Sequence, residues 1–315
     1  MSFDPFAASF ALLESWPISN VAAAYIDPSG AVHRHGLVDE KFRLASVTKI
    51  VSTYAILIAL EEGTVALDDS VGPPDCTVGD VPDCTLRHVL SHASGLPLNG
   101  LVPIARPAQR RIYSNTGINL AAEHVAKSAE MPFAQYLHEA VFEPLQMTST
   151  ELVRAPAWGG VSTANDLVRF ASELLGPTLI SRQTLTEAIS AQWPELNGVL
   201  PGLGPQRPNP WGLGFEIRGH KSPHWTGRLN SPETFGHFGQ SGTFLWSTRL
   251  PTQHAWRSLA PISVYGLGSF GRRFLIPFFR RHPANYPDEA RVYARAQVVL
   301  ERCQSQVEWG ALLRR

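Results

Sequence analysis

The chain has 315 residues, 44% of them apolar and 17% charged, and its 27 basic and 27 acidic side chains leave a formal net charge of zero. That length can bury a substantial core in one large or two medium domains, and the composition is that of a soluble globular protein. The chain contains no apolar run of membrane-spanning length, no internal repeat and no low-complexity stretch. Met1-Ser-Phe-Asp-Pro-Phe6 lacks the basic start of a secretory signal, so a cytoplasmic location is expected. The three cysteines, Cys76, Cys84 and Cys303, make no disulfide framework. Cys76 and Cys84 are near enough in sequence to pair; reduced thiols are the reading a cytoplasmic protein favours.

In chain order, residues 5–15 read as an amphipathic surface helix. Asn20–Ile26 and Ala31–Leu37 are strand-like runs around the turn sequence Asp27-Pro-Ser-Gly30, which predicts a hairpin. Leu44–Leu60 carries Val47, Ile50, Val51, Tyr54, Ala55 and Ile58 at helical spacing, and Glu61-Glu-Gly63 closes it. Helices follow over 85–90, 116–128, 132–141, 162–175 and 181–192, with Thr85 and Ser181 as N-caps. The texture then turns to strands over 212–218, 234–238 and 242–246. Strands at both ends of a helical stretch predict an α/β fold of the α+β type: a mostly antiparallel sheet flanked by helices, with an inserted all-helical region. The sheet region is expected to comprise residues 1–62 and 205–315, and the helical region residues 63–204. The cleft between them is the expected site.

Three triplets carry the chemistry. Ser46-Val-Thr-Lys49 places a hydroxyl and an amine one helical turn apart, within reach of each other as nucleophile and base. With Ser46 in the first turn of its helix, the N-terminal dipole favours an oxyanion there. Lys49 is one of only four lysines and lies in an apolar helix, where its ammonium form is disfavoured. Tyr113-Ser-Asn115 points two side chains to one side of an extended segment. His237-Phe-Gly239 ends in a glycine that lets a strand approach a substrate, and the Gln240 amide after it is positioned to donate to an oxyanion.

The order and spacing of these triplets resemble the serine β-lactamase and penicillin-binding protein superfamily. The closer resemblance is to the branch holding class C β-lactamases, esterases and D-amino-acid-type peptidases. Connecting stretches match too, among them Leu60-Glu-Glu-Gly63, Leu67-Asp-Asp69, Leu90-Ser-His-Ala-Ser-Gly-Leu-Pro97, Phe142-Glu-Pro-Leu145 and Gly159-Gly-Val-Ser-Thr163. The resemblance covers about Val21 to Trp246. It implies a β-lactamase/transpeptidase-like fold and a serine hydrolase that cleaves a small-molecule ester, amide or peptide through an acyl-enzyme on Ser46. It also implies that Tyr113 moves protons, with its pKa lowered by the Lys49 cation, and that Asn115 orients Lys49 and the substrate carbonyl. The amides of Ser46 and Gln240 would hold the oxyanion. His237 stands where most true β-lactamases have lysine, and a largely neutral imidazole weakens the case for a carboxylate-bearing β-lactam. Esterase activity is therefore expected over efficient β-lactam hydrolysis. The alternative is a catalytically inactive binding protein that retains the fold.

No cofactor is implied. His88 and His92 are spaced to chelate a metal from one helical face, but no third ligand accompanies them, so no metal is expected and His92-Ala-Ser-Gly95 reads as a helix-ending turn. Asp68-Asp69 reads as a helix-loop junction. Nothing in the sequence sets the oligomeric state.

From Ser247 to Arg315 there are eleven arginines, no lysine and four acids, which leaves the first 246 residues with the opposite excess. No aromatic–basic repeat accompanies this tail, so a nucleic-acid partner is not expected. Arg272-Arg-Phe-Leu-Ile-Pro-Phe-Phe-Arg-Arg281 fits neither a clean strand nor an amphipathic helix, and helical texture returns only over Asp288–Leu300. An Arg-rich, Lys-free stretch is what a GC-rich gene yields when read out of frame. One coding of Ser247-Thr-Arg249 read one base earlier gives Val-Asp-Pro, the turn the family makes there. Two readings stand: a frameshift near Ser247, or a divergent basic tail. Translating the neighbouring frames decides: a frameshift predicts one that continues an apolar strand and an amphipathic helix past Trp246, and its absence leaves the divergent tail.

Overall fold

Asp27 makes the first turn. Its Oδ1 accepts hydrogen bonds from the Ser29 and Ala31 amides at 2.8 and 3.1 Å, and Gly30 supplies a positive φ. The turn joins β1 (Val21–Ile26) to β2 (Val32–Gly36), in register from Ala22 opposite Gly36 to Ile26 opposite Val32. The computed structural model describes residues 10, 13, 20–72, 84–227, 230–249 and 259–267. Apart from Phe10 and Leu13, the helix expected over 5–15 lies outside the described residues, as do Cys76, Cys303, Arg272–Arg281 and Asp288–Leu300.

Next come β3 (Phe42–Arg43), a 3₁₀ turn over Ala45–Val47, and α1 (Thr48–Glu61). Every residue of α1 from Thr48 to Ala59 is buried, so this helix forms the centre of the molecule rather than one of its faces. Helices α2 (Leu86–Leu90), α3 (Asn115–Ser128) and α4 (Phe133–Leu137) follow, and α4 runs into a π-helical turn over His138–Phe142. Strands β4 (Glu151–Leu152) and β5 (Gly160–Ser162) then precede α5 (Ala164–Leu175) and α6 (Arg182–Ala188). Caps set the starts: the Ser114 Oγ accepts from the Gly117 amide, Thr163 from Asp166 and Ser181 from Thr184. Thr85 and His88 form a capping box on α2.

The insertion is not all-helical, contrary to the expectation. Strands β3, β5 and β4 form a small antiparallel sheet, and β6 (Gly198–Leu200) pairs with β7 (Gly204–Gln206). Runs of two or three residues are too short to show a period of two. The main sheet adds β8 (Glu216–Ile217), β9 (Phe235–Gly239), β10 (Thr243–Arg249) and β11 (Leu259–Leu267), in the order β2-β1-β11-β10-β9-β8 with every pairing antiparallel. The strand expected over 212–218 shrinks to Glu216–Ile217. The strand expected over 242–246 is longer, because β10 continues to Arg249. A return strand follows it, as β11 inserts between β10 and β1.

Side chains alternate across this sheet. Ala22, Ala24, Ile26 and Leu245 join the core around α1, while Ala23, Tyr25, Phe244 and Trp246 join a second core with Phe10, Leu13, Trp211, Trp225 and Phe238. Helix α5 packs on β1 and β11, and the Ala45–Val47 turn sits against β9 and β10.

Glu173 of α5 is buried at the heart of the first core. Its carboxyl accepts from the Tyr54 hydroxyl, the Thr178 amide and hydroxyl, and the Leu179 amide, each at 2.7 Å. Glu173→Ala strands these donors in a dry interior, so urea unfolding should show a loss of about 2–4 kcal/mol, with Glu173→Gln losing less.

Candidate active site

Ser46 sits in the 3₁₀ turn just ahead of α1, not in its first α-turn, so the helix starts later than the sequence spacing implied. Ala45 before it adopts a φ of +45°, a left-handed conformation that costs a non-glycine residue energy and needs support from its surroundings. Gly239 gives that support by coming close: a Cβ there would meet the Leu44 carbonyl oxygen at 2.4 Å and the Ala45 Cβ at 3.2 Å. The Thr243 hydroxyl also donates to the Leu44 carbonyl at 2.7 Å, and that of Ser241 donates to the Arg43 carbonyl at 2.6 Å. The room made by Gly239 is thus taken by the turn that carries Ser46, rather than by substrate as expected. Gln240 follows in an exposed turn.

The Lys49 amine is fully buried. Its Nζ lies 3.1 Å from Ser46 Oγ, 2.7 Å from Asn115 Oδ1 and 2.8 Å from the Ala157 carbonyl oxygen, and 4.7 Å from the centre of the Tyr113 ring. Burial holds its pKa well below the usual lysine value. No acidic side chain contacts it among the described residues. Asn115 completes its contacts through Nδ2, which donates to Asn99 Oδ1 at 3.2 Å.

His237 is buried, and its Nδ1–H donates to its neighbour's carbonyl, that of Phe238, at 2.7 Å. That bond leaves Nε2 as the acceptor, 3.4 Å from the Tyr113 hydroxyl. Burial, followed by repulsion from Lys49, pushes the His237 pKa down to about 3, so the ring is neutral at pH 7. For Tyr113 the structure reverses the expectation of a lowered pKa. Burial raises it, and only a hydrogen bond with Ser46 opposes the rise.

Behind these residues lies a layer that no sequence pattern marks. His92 is buried with a φ of +57°; its Nδ1 accepts from the Ser114 amide at 3.2 Å and its carbonyl from the Ile112 amide at 2.9 Å. The 92–98 turn therefore templates the second triplet, helped by Ser114 Oγ donating to the Pro97 carbonyl and the Asn115 amide to that of Leu98. His88 caps α2 and stacks on Trp193, so the two histidines make separate structural bonds. Arg111, also buried, clamps the Ser91, Gln192, Trp193 and Asn209 carbonyls. Trp211 packs against His92, Tyr113 and His237, with the Lys221 amine 5.6 Å from the centre of its ring. Lys221 is paired with buried Glu216, which also accepts from Trp225 Nε1 and bonds His224. Asp69 accepts from the Ala66 amide and bonds His124, as befits a helix-loop junction. Among the described residues no three His, Cys, Asp or Glu side chains gather as metal ligands.

A histidine held neutral to about pH 3 takes up no proton on folding, whereas an unfolded one titrates near pH 6.5. The unfolded state then binds more protons, so stability present above that value is lost as pH falls towards 3. Between about pH 7 and pH 4 this group should remove about 3 kcal/mol, a loss that urea titrations of His237→Gln should not show.

Residues 20–249 match the family model described as Beta-lactamase. The crystal structure of a β-lactamase from Mycobacterium bovis is similar at a TM-score of 0.78, with 41% sequence identity over 94% of this chain and 99% of that one. A β-lactamase of Yersinia enterocolitica is 27% identical over 61% of this chain and 66% of its own length. The D-alanyl-D-alanine-carboxypeptidase/endopeptidase AmpH of Escherichia coli K12 is 26% identical over 38% of each chain. The chain thus spans two-thirds or less of the length of these two curated relatives. No helix among the described residues is long and apolar enough to cross a membrane. A matching family model over most of the sequence, together with a solved relative at this identity, establishes that the chain belongs to the β-lactamase family.

Proposed function

We propose that the chain is a serine hydrolase that cleaves an uncharged ester or amide through an acyl-enzyme on Ser46. The observation that carries this reading is the bonding of Lys49. A neutral amine has two N–H groups and one lone pair. Asn115 Oδ1 and the Ala157 carbonyl are acceptors only, and they take both N–H groups at 2.7 and 2.8 Å. The lone pair then faces Ser46 Oγ at 3.1 Å, the arrangement a general base needs.

In this reading Ser46 Oγ attacks the substrate carbonyl carbon as its proton passes to Lys49. The amides of Ser46 and Gln240 stabilise the oxyanion. Tyr113, kept protonated by burial and flanked by Ser46 and His237 Nε2, gives its proton to the leaving oxygen or nitrogen as that bond breaks, and recovers one from Lys49. The reverse transfers activate water for deacylation. His237 is neutral and burial disfavours the ammonium form of Lys49, so neither is a ready partner for a buried substrate carboxylate, which favours uncharged substrates over β-lactams. The second reading, a binding protein that retains the fold without turnover, has no observation of its own among the described residues.

A fluorophosphonate probe followed by intact mass tests the proposal. Wild type should gain one adduct, and Ser46→Ala none. Lys49→Ala should label at least about 10²-fold more slowly. Lys49→Arg should be equally slow, because a guanidinium does not deprotonate. Wild-type labelling rates in both lysine variants would remove Lys49 as the base.

A further inference from the structure

Seven large apolar side chains are exposed among the described residues: Leu37, Leu101, Val102, Ile104, Val153, Trp158 and Val199. Such residues scattered singly need no explanation, whereas a cluster beside a site does. Five of the seven lie on three segments that bond the candidate catalytic set or the arginine clamp behind it. Asn99 binds Asn115, and Leu101, Val102 and Ile104 follow it with exposures of 56, 78 and 57%. Ala157 accepts from Lys49, and the next residue, Trp158, exposes 41% of its surface. Gly198 bridges to Arg111, and Val199 follows, while Leu200 joins the core that Tyr113 packs against.

These exposures do not come from loose loops. The 98–104 loop is held at one end by the Ser114 and Asn115 bonds to Pro97 and Leu98. At the other end the Ile104 amide donates to the Gly95 carbonyl, and the chain passes so close that a Cβ on Gly95 would meet the Ala105 carbonyl oxygen at 1.9 Å. The 155–159 turn is pinned by Ser52 to the Pro156 carbonyl, by Asn119 to the Ala157 amide and by Lys49. Fixed backbone with outward apolar side chains keeps an apolar surface in water beside the reactive centre.

Resting on the hydrolase reading above, we infer that Leu101, Val102, Ile104 and Trp158 hold the extended apolar acyl chain of a lipophilic, uncharged ester. The acyl side is assigned because both segments bond the groups around Lys49, Asn99 through Asn115 and Ala157 directly, and Lys49 lies 3.1 Å from the Ser46 Oγ that carries the acyl group. Each methylene that leaves water completely is worth about fourfold in an equilibrium constant, so a chain that lies along these residues gains strongly over acetate.

The test compares p-nitrophenyl acetate, butyrate and octanoate on wild type, on the triple variant Leu101→Ser/Val102→Ser/Ile104→Ser, and on Trp158→Ser. Fluorophosphonate labelling and size-exclusion chromatography run alongside. Wild type should show kcat/KM for octanoate at least about tenfold above acetate. The triple variant should bring that ratio near one while acetate turnover and labelling hold, and Trp158→Ser should lower the ratio partway. A flat chain-length profile in a wild type that labels overturns this inference and leaves the hydrolase reading standing. Equal losses on all three esters in the triple variant overturn it too. So does an unchanged ratio accompanied by loss of a dimer, which would make the surface a contact between copies. Absence of labelling in wild type sinks the hydrolase reading itself.

Discussion

An amine buried without a counter-ion is the constraint on which the site is built. Moving an ammonium out of water is costly, and a lysine in that position responds by releasing its proton. The chain supplies a direct contrast. Lys221 is also buried, but Glu216 sits against it and opposes the effect of burial. Lys49 has only the uncharged oxygens of Ser46, Asn115 and Ala157, and nothing opposes burial there. Two buried lysines are thus set apart by whether a carboxylate faces them.

Much of the fold serves to hold those oxygens still. Ser46 depends on a left-handed Ala45, which depends on β9 and β10 meeting at a glycine with no side chain in the way. Asn115 begins α3, and its segment is bonded residue by residue to the 92–98 turn. Ala157 belongs to a turn tied to α1 through Ser52 and to α3 through Asn119. Three separate stretches of chain therefore converge on one nitrogen, and the central helix that carries it is buried on every side.

The three triplets, the Asp27 hairpin and the capped helix starts were legible because each is a local pattern: a fixed spacing, a turn sequence, a polar residue before an apolar run. The fold class followed from their order. What was hidden depends on distant partners. His92 read as a turn residue because its bond to Ser114 spans 22 residues, and Arg111 gave no signal because it bonds only backbone carbonyls. Trp211 is central through ring contacts that no periodicity records. The direction of the Tyr113 shift was hidden because it follows from the burial of Tyr113 itself, which no local pattern records. Strand β11 escaped notice because Pro261 and Gly266 interrupt its apolar run, and both are unusual inside a strand.

The charge state of Lys49 is open to direct measurement. With only four lysines in the chain, ¹³C labelling at the lysine ε-carbon gives four resonances whose shifts follow each amine through its titration. One resonance should titrate well below the usual lysine value of about 10.4 and disappear in Lys49→Arg, while that of Lys221 remains. If the signal lost in Lys49→Arg instead titrates at or above that value, Lys49 is a cation at neutral pH. It then cannot accept the Ser46 proton, and Lys49 is not the base.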